Sequence, residues 1–408
     1  MENIRLFRDK EKEVKIIYHN VFKKPTKTFI IYFKEKKKIL STLDGFKEVK
    51  FVGINFVNRD FWEMEYSKWQ NYKKETIKSL GYKEKEVSLL YTGVDVENFG
   101  FCEEKFNEYK VTCYATAGIK SNALRIGFDE GKFYEKEGDF LKTSTINIIL
   151  LTDIFLTEEA LISSIIPITE AKTSLLQDLD IRSSYKSLEN QATGTGTDNI
   201  IIINGKKGKI TYIGGHSKFG EIVGKVVYKA TKEGIKKQNR IYEGRDIIKR
   251  LEERGILKED IVKTAGEMYI YDEKFGDEKK FEEIFEKELN KILKDVNVSS
   301  LIIAGLKLEE EAQKRNIPNL KDYKDDPVYL ISDEILGMQI SQYIGGTLAI
   351  FEFERIDRKK PGILKKLPPF IDDVIGGLIA GITTKIFSKW KGFYFFVFSF
   401  LKPYFLKI

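Results

Sequence analysis

The sequence predicts two domains of different class. An α+β domain with a mixed or antiparallel sheet and flanking helices is expected over residues 1–240. An all-α helical bundle is expected over 241–389, with an aromatic, apolar tail at 390–408. Three observations predict this division. Short β-branched and aromatic runs bounded by turn residues fill much of the first half. From about residue 244 they give way to seven long segments with helical periodicity. At 408 residues, the chain exceeds what a single core usually serves.

The first strands read as Val14–Tyr18, Thr28–Phe33 and Val49–Asn58, separated by lysine-rich or Gly-containing turns. Trp62–Leu80 turns polar and helical and stops before Gly81. Val111–Ala117 and the near-continuous apolar Thr145–Thr152 are further strands. Thr157, followed by Glu158 and Glu159, caps a helix that Pro167 is expected to kink. Residues 170–184 are rich in charge and hydroxyls without periodicity, and read as a segment not built for burial. Ile200–Ile203 and Lys209–Ile213 flank Asn204-Gly205, the signal of a tight antiparallel hairpin. A helix from Ser217 to about Lys237 aligns Phe219, Ile222, Val223, Val226, Val227 and Ala230 on one stripe. After a break at Gln238–Gly244, helices are expected at Gly244–Arg254, Lys258–Tyr269, Glu278–Lys294, Val298–Arg315, Val328–Tyr343, Thr347–Ile356 and Ile371–Lys389.

Composition excludes some function classes. Lysine and arginine outnumber aspartate and glutamate by 69 to 62, an excess too thinly spread for a nucleic-acid partner. Cys102 and Cys113 are the only cysteines, so there is no disulfide framework, which fits a reducing cytosol. The N-terminal residues lack the apolar run of a signal peptide, and a cytoplasmic location is expected. The terminal aromatic run falls short of the ~20 apolar residues a spanning helix needs. Contact with a membrane surface and a packed terminal segment both remain open for it.

The densest chemistry lies in 192–221. Thr193, Gly194, Thr195, Gly196 and Thr197 alternate uncharged donor–acceptors with residues that let backbone approach a ligand. Gly214 and Gly215 leave room beside His216, one of two histidines. A site for a neutral polar substrate has this composition, and so does a surface turn ahead of a buried strand. His216 is the candidate general acid/base, because histidine titrates unperturbed near neutrality. Asp178, Asp180 and Asp198 are candidates to orient it or hold a water. Cys113 is an alternative nucleophile, but it sits in an apolar strand where cysteines are usually packed. His19, without carboxylates nearby, reads as a surface or satisfied core histidine.

Several words resemble the adenosylcobinamide amidohydrolase family in one order over about 110 residues. They are Ala115-Thr116-Ala117-Gly118 with Ser121-Asn122-Ala123, Thr145-Ile146-Asn147-Ile148, and Thr169-Glu170-Ala171-Lys172-Thr173. Leu176-Gln177-Asp178-Leu179-Asp180-Ile181-Arg182-Ser183-Ser184 and Ala192-Thr193-Gly194-Thr195-Gly196-Thr197-Asp198-Asn199 follow. Gly214-Gly215-His216-Ser217-Lys218 with Gly220-Glu221 comes last. The resemblance implies a corrinoid substrate, adenosylcobinamide, cleaved at the amide to aminopropanol to give adenosylcobyric acid. It also admits His216 as a ligand to the corrinoid cobalt.

Three acidic words mark the second half: Ser332-Asp333-Glu334-Ile335-Leu336-Gly337-Met338, Phe353-Glu354-Arg355-Ile356-Asp357-Arg358-Lys359-Lys360-Pro361, and Phe370-Ile371-Asp372-Asp373-Val374. Asp333, Glu334, Asp357, Asp372 and Asp373 are candidate oxygen ligands for Mg²⁺, with Arg355 and Lys360 as candidates to hold phosphate oxygens. Charged helix ends and caps would account for each word about as well. The words resemble the phosphatidylglycerophosphatase A superfamily, which includes archaeal α-ribazole-5′-phosphate phosphatases. Gly362 stands where an aromatic residue usually follows the proline, and fusion to a corrinoid amidohydrolase points to α-ribazole 5′-phosphate as substrate. Together the resemblances imply a bifunctional hydrolase of cobalamin biosynthesis and corrinoid salvage. A membrane-associated lipid phosphatase in the second half, or a non-enzymatic corrinoid-binding chain, are the alternatives.

Overall fold

The computed structural model describes residues 2–61, 66–131 and 145–388, and the chain divides into two compact units, Met1–Glu243 and Gly244–Ile408. Trp62, Lys389 and the tail at 390–408 lie outside the described residues.

The first unit is a curled mixed sheet with helices on its outer side. Its strands are β1 (Glu2–Arg8), β2 (Lys12–Val21), β3 (Lys24–Ser41), β4 (Gly45–Phe56), β5 (Val87–Thr92), β6 (Gly100–Phe106) and β7 (Tyr109–Ala117). The short β8 (Ala123–Leu124) precedes β9 (Ile146–Thr152), β10 (Ile154–Leu156), β11 (Gly194–Thr195), β12 (Asn199–Ile203) and β13 (Lys207–Ile210). The helices are α1 (Tyr66–Ser79), α2 (Glu158–Ser163), α3 (Ile165–Asp178) and α4 (Lys218–Asn239). The main sheet runs β1-β2-β3-β12-β9-β7-β6, with β4 on the far side of β3 and β5 beyond it. β3 is long enough for β2 to pair with its first half and β12 with its last three residues. A register shift against β4 between Tyr32 and Lys37 bends it, and the sheet curls.

Alternation along the strands builds two cores. Ile149, Leu151, Ile201 and Ile203 pack inside the curl with Phe29, Ile31 and Tyr114. Ile148, Leu150, Ile200 and Ile202 face outward, in one core with residues of α3 and α4. β9, α2, α3 and β12 form a parallel βαβ unit, so α3 runs back from the end of β9 to the start of β12.

Three expectations are corrected. The antiparallel hairpin at 204–208 does not form: β12 joins the main sheet, whereas β13 pairs in parallel with β10. The Asn204 side chain is used to clamp Leu156, accepting from its N–H at 2.7 Å and donating to its carbonyl at 2.8 Å. A Cβ on Gly205 would lie 1.9 Å from the Asp153 carbonyl carbon, so glycine serves close approach there and not a turn. Pro167 does not kink a helix, because the break falls at Ser164 and the proline occupies the first turn of α3, where it replaces no helical N–H bond. Residues 170–184 are in good part buried: Lys172, Leu175, Leu176, Asp180, Arg182 and Ser183 are all inside. β1, β5 and β6 are strands the sequence did not signal.

The second unit is helical: α5 (Ile247–Glu252), α6 (Lys258–Glu267), α7 (Glu278–Ile292), α8 (Val296–Gln313), α9 (Ser332–Gly345), α10 (Leu348–Lys359) and α11 (Pro369–Ser388). α11 is buried on all sides, as its almost wholly apolar composition requires. Among the described residues, no helix is long and apolar enough to cross a membrane.

Candidate functional sites

At the edge where β9 and β12 begin, residues 193–198 wrap an ion pair between a buried lysine and a half-buried aspartate. Lys172 from α3 donates to Asp198 Oδ2, with side-chain exposures of 10% and 18%. The same oxygen accepts from Thr195 N at 3.1 Å, while Asp198 Oδ1 accepts from Thr195 Oγ1 at 2.5 Å and Ile146 N at 3.1 Å. Four donors occupy the four acceptor positions of a carboxylate. Asp198 therefore holds the loop together and has no lone pair left for a water.

The glycines follow from this wrapping. A Cβ on Gly194 would lie 2.7 Å from Asp198 Oδ2 and 2.9 Å from Lys172 Nζ, and one on Gly196 would meet Asn122 Oδ1 at 2.9 Å. β11 pairs with β8, and Thr173 Oγ1 donates to Thr193 O at 2.8 Å. Thr145 Oγ1 donates to Thr197 O. One register step inside the curl, Thr116, Asn147 and Asn199 lie side by side across β7, β9 and β12. Asn147 Nδ2 donates to Tyr91 O at 2.9 Å, but among the described residues the buried Asn147 Oδ1 and Thr116 Oγ1 have no hydrogen-bond partners.

The other expected catalytic residues do not join this cluster. Asp178, exposed at the end of α3, accepts from the Tyr228 hydroxyl at 2.9 Å. Asp180, buried with a left-handed φ of 52°, accepts from Arg182 at 3.0 Å and Gln191 at 2.9 Å. His216 lies just before α4, between the buried Gly214 and the N-cap Ser217, and it is exposed. Among the described residues it makes no hydrogen bond, and its ring is 6.3 Å from that of Tyr212. Ile213 N bonds Ser163 Oγ at 3.1 Å, which fixes this turn at the start of α3 and thus at the far end of β9. Loop and histidine are separated by the length of the seven-residue β9, roughly 20 Å at about 3.3 Å per residue. The expectation that the three aspartates orient His216 is corrected, because a strand crosses the sheet between Asp198 and His216.

Two further expectations resolve simply. Cys113 is fully buried, and burial raises its thiol pKa far above the usual range, which is not how a nucleophile is prepared. His19 is a satisfied core histidine, its ring nitrogens 2.8 Å from Ser79 Oγ and Thr28 Oγ1.

In the second unit, α9 and α11 run in the same direction and touch backbone to backbone. A Cβ on Gly377 would lie 2.2 Å from Gly337 O, and one on Gly345 would lie 2.6 Å from Gly381 O. This contact sets the first turns of both helices, and their carboxylates, side by side. Asp333, Glu334 and Asp373 each offer an oxygen, all within 4.8 Å of one another. Among the described residues, Asp333 Oδ2, Glu334 Oε2, Asp372 Oδ1 and Asp373 Oδ1 are buried without hydrogen-bond partners. Burial, then the hydrogen bond and charge of Glu334, push Asp333 up to about 8. Burial, with Asp372 beside it, pushes Asp373 up to about 9. Burial pushes Asp372 up to about 7, with Lys360 pulling the other way.

Lys360 caps α10 in a left-handed conformation and bonds Asp357 and Asp372 at 2.6 Å each, with Asp373 Oδ1 at 3.6 Å. Arg355 pairs with Glu352 at 2.5 Å and donates to Met268 O at 2.9 Å. Sequence reasoning missed Asp326, which senses Lys360, Glu334 and Asp357 and is raised chiefly by burial. It also missed Glu309 of α8, buried with Oε2 unpartnered and raised by burial. The acidic pair ahead of Pro327 was the only signal for the first, and a mid-helix glutamate gives none.

Fold and geometry thus define a chain of two units with chemically distinct polar sites: a loop lined with amide and hydroxyl groups, and a nest of buried carboxylates. Comparison with known proteins bears on both units. The model of the family described as adenosylcobinamide amidohydrolase matches residues 11–243, more than half of the chain, and the chain belongs to that family. The model described as phosphatidylglycerophosphatase A matches residues 288–388. The chain is 41% identical to the uncharacterized protein MJ1613 of Methanocaldococcus jannaschii, over 53% of this chain and 88% of that one. It is 43% identical to the uncharacterized protein MJ1330 of the same organism, over 24% of this chain and 80% of that one. It is 29% identical to the adenosylcobinamide amidohydrolase of Methanosarcina mazei, over 41% of this chain and 74% of that one.

Proposed function

We propose that the chain joins two hydrolases of corrinoid metabolism. The first unit cleaves the aminopropanol amide of adenosylcobinamide to adenosylcobyric acid, and the second dephosphorylates α-ribazole 5′-phosphate. For the first, the supporting observation is the buried pair Thr116 Oγ1 and Asn147 Oδ1, a hydroxyl and an acceptor left without partners beside the 193–198 loop. A substrate amide has the complementary donor and acceptor, and every family-like word except the last reaches this edge of the sheet. On this reading Lys172 and Asp198 position the loop, and His216 stands outside the amide site.

For the second unit, the four unpartnered carboxylate oxygens fit a hard cation, since buried carboxylates without partners are costly. Asp333, Glu334 and Asp373 would hold Mg²⁺. When bound, the ion supplies positive charge to phosphoryl oxygens and an acidified water. Lys360 holds Asp357 and Asp372 in place. The glycine contact between α9 and α11 keeps the carboxylates converged.

The test is product release by the purified chain: aminopropanol from adenosylcobinamide, and phosphate from α-ribazole 5′-phosphate with Mg²⁺. Asn147→Ala should cut amide cleavage at least 100-fold and His216→Ala less than 10-fold; the reverse order would move the amide site to the histidine. Asp373→Asn should abolish phosphate release and spare amide cleavage. Faster release from phosphatidylglycerophosphate than from α-ribazole 5′-phosphate would replace the second activity with a lipid phosphatase.

A further inference from the structure

The inside of the curled sheet opens, at the edge away from the 193–198 loop, into a cavity of about 510 Å³. That volume falls within the ~300–1,000 Å³ typical of small-molecule sites. Phe33 and Leu151 give it an apolar floor, and six lysines line it: Lys12, Lys37, Lys105, Lys110, Lys206 and Lys207. Four carboxylates, Asp9, Glu11, Glu108 and Asp153, share the wall.

Three of the lysines are neutralised, Lys207 by Asp153 at 3.0 Å, Lys206 by Glu35 at 2.5 Å and Lys110 by Glu103 at 3.5 Å. Among the described residues, Lys12, Lys37 and Lys105 form no ion pair. Lys12 matters most, because the residue is only 8% exposed and its ammonium, 5.7 Å from the centroid of the Phe7 ring, meets no carboxylate in an ion pair among the described residues. The adjacent Asp9 is turned to the backbone N–H groups of Glu11 and Lys12, at 2.7 and 2.8 Å, and not to the ammonium. Burial, then the charge of Lys110, lower the Lys12 pKa, with the charges of Asp9, Glu103 and Glu11 pulling the other way. The wall includes the carboxyl ends of the parallel strands, at Leu151–Asp153 and Gly205–Lys207, where ligands collect in open sheets.

We propose that this cavity binds a small molecule bearing a phosphate or polyphosphate group, with Lys12 as the buried counter-ion and Lys37 and Lys105 completing the charge. Phosphate oxygens accept from the ammonium groups, and Phe33 and Leu151 take an apolar portion of the ligand. The length of β9 separates this site from the 193–198 loop.

Titration calorimetry of the full chain in EDTA, with pyrophosphate, ATP and adenosine as probes, tests this. Pyrophosphate and ATP should bind and weaken as salt rises, ATP should bind more tightly, and adenosine should give no heat. Lys12→Met should lower pyrophosphate affinity at least tenfold with its melting temperature unchanged, and Lys12→Arg should retain most of it. Lys360→Met, in the second unit, should have no effect. The proposal is overturned if neither anion binds at millimolar concentration, if Lys12→Met binds as wild type, or if Lys360→Met abolishes binding. Should Lys12→Met fail to fold, the exposed Lys105→Met decides: a threefold or larger loss supports the site, and unchanged affinity refutes it.

Discussion

Cation binding by the second unit should be a proton-exchange reaction. With Asp333 held at about 8 and Asp373 at about 9, both carboxyls are protonated at pH 6. A divalent cation needs them ionised, so binding must expel those protons. Two protons lost give a limiting slope of two in log affinity against pH. The slope declines toward one as Asp333 ionises near pH 8 and vanishes above about pH 9. Apparent Mg²⁺ affinity should therefore rise about 100-fold between pH 6 and 7. Calorimetry in two buffers of different ionisation enthalpy counts the protons: about two released at pH 6 and less than one at pH 9. Asp373→Asn should reduce the slope to about one. The same raised values mean that the folded, cation-free unit keeps protons the unfolded chain would release. Its stability should fall as pH rises from about 4 to 9, and Mg²⁺ should restore it. A pH-independent affinity with no proton release would refute the reasoning.

Other perturbations have equally direct readouts. Lys172→Met strands the Asp198 carboxylate and should cost about 2–4 kcal/mol in urea unfolding of the first unit, with Lys172→Met/Asp198→Asn recovering part of the loss; equal stability of single mutant and wild type would remove the ion pair from the argument. Burial depresses His19 to about 4, against about 6.5 when unfolded, so the neutral ring's contribution is present above pH 6.5 and lost as pH falls toward 4. The loss should reach about 3 kcal/mol, and His19→Gln should flatten that part of the stability–pH curve. Gly377→Ala forces a Cβ against Gly337 O and should cost at least about 2 kcal/mol, together with the phosphate release proposed for this unit. At Gly376 the nearest atom would be 3.5 Å away on Phe353, so alanine should be tolerated there; equal melting temperatures for the two variants would contradict the backbone contact.

Local patterns carried a large part of this molecule. The apolar stripe of α4, the Thr157 cap on Ala160 N, the strand cores of β7 and β9 and the seven helices of the second unit are all legible, because each depends on residues within one or two turns. So were the acidic words, since Asp333, Glu334 and Asp373 do converge. What failed depended on distant partners. Asn204-Gly205 reads as a turn, yet its side chain and backbone meet Asp153–Leu156, some fifty residues earlier in the chain. Lys172 looks solvent-bound until it meets Asp198, twenty-six residues later in the chain.

The contrast is clearest in 192–221. Composition alone marked this stretch as polar, glycine-lined and distinctive, and its resemblance named a substrate class. Only the tertiary structure divided it. A strand advances about 3.3 Å per residue, so β12 carries the chain from the loop to the opposite edge of the sheet before His216 is reached. The same geometry brings Lys172, a residue with no assigned role in the sequence, onto Asp198. Sequence determines which residues can form strands, helices and hydrogen bonds; the path of those strands across the sheet decides which of them meet.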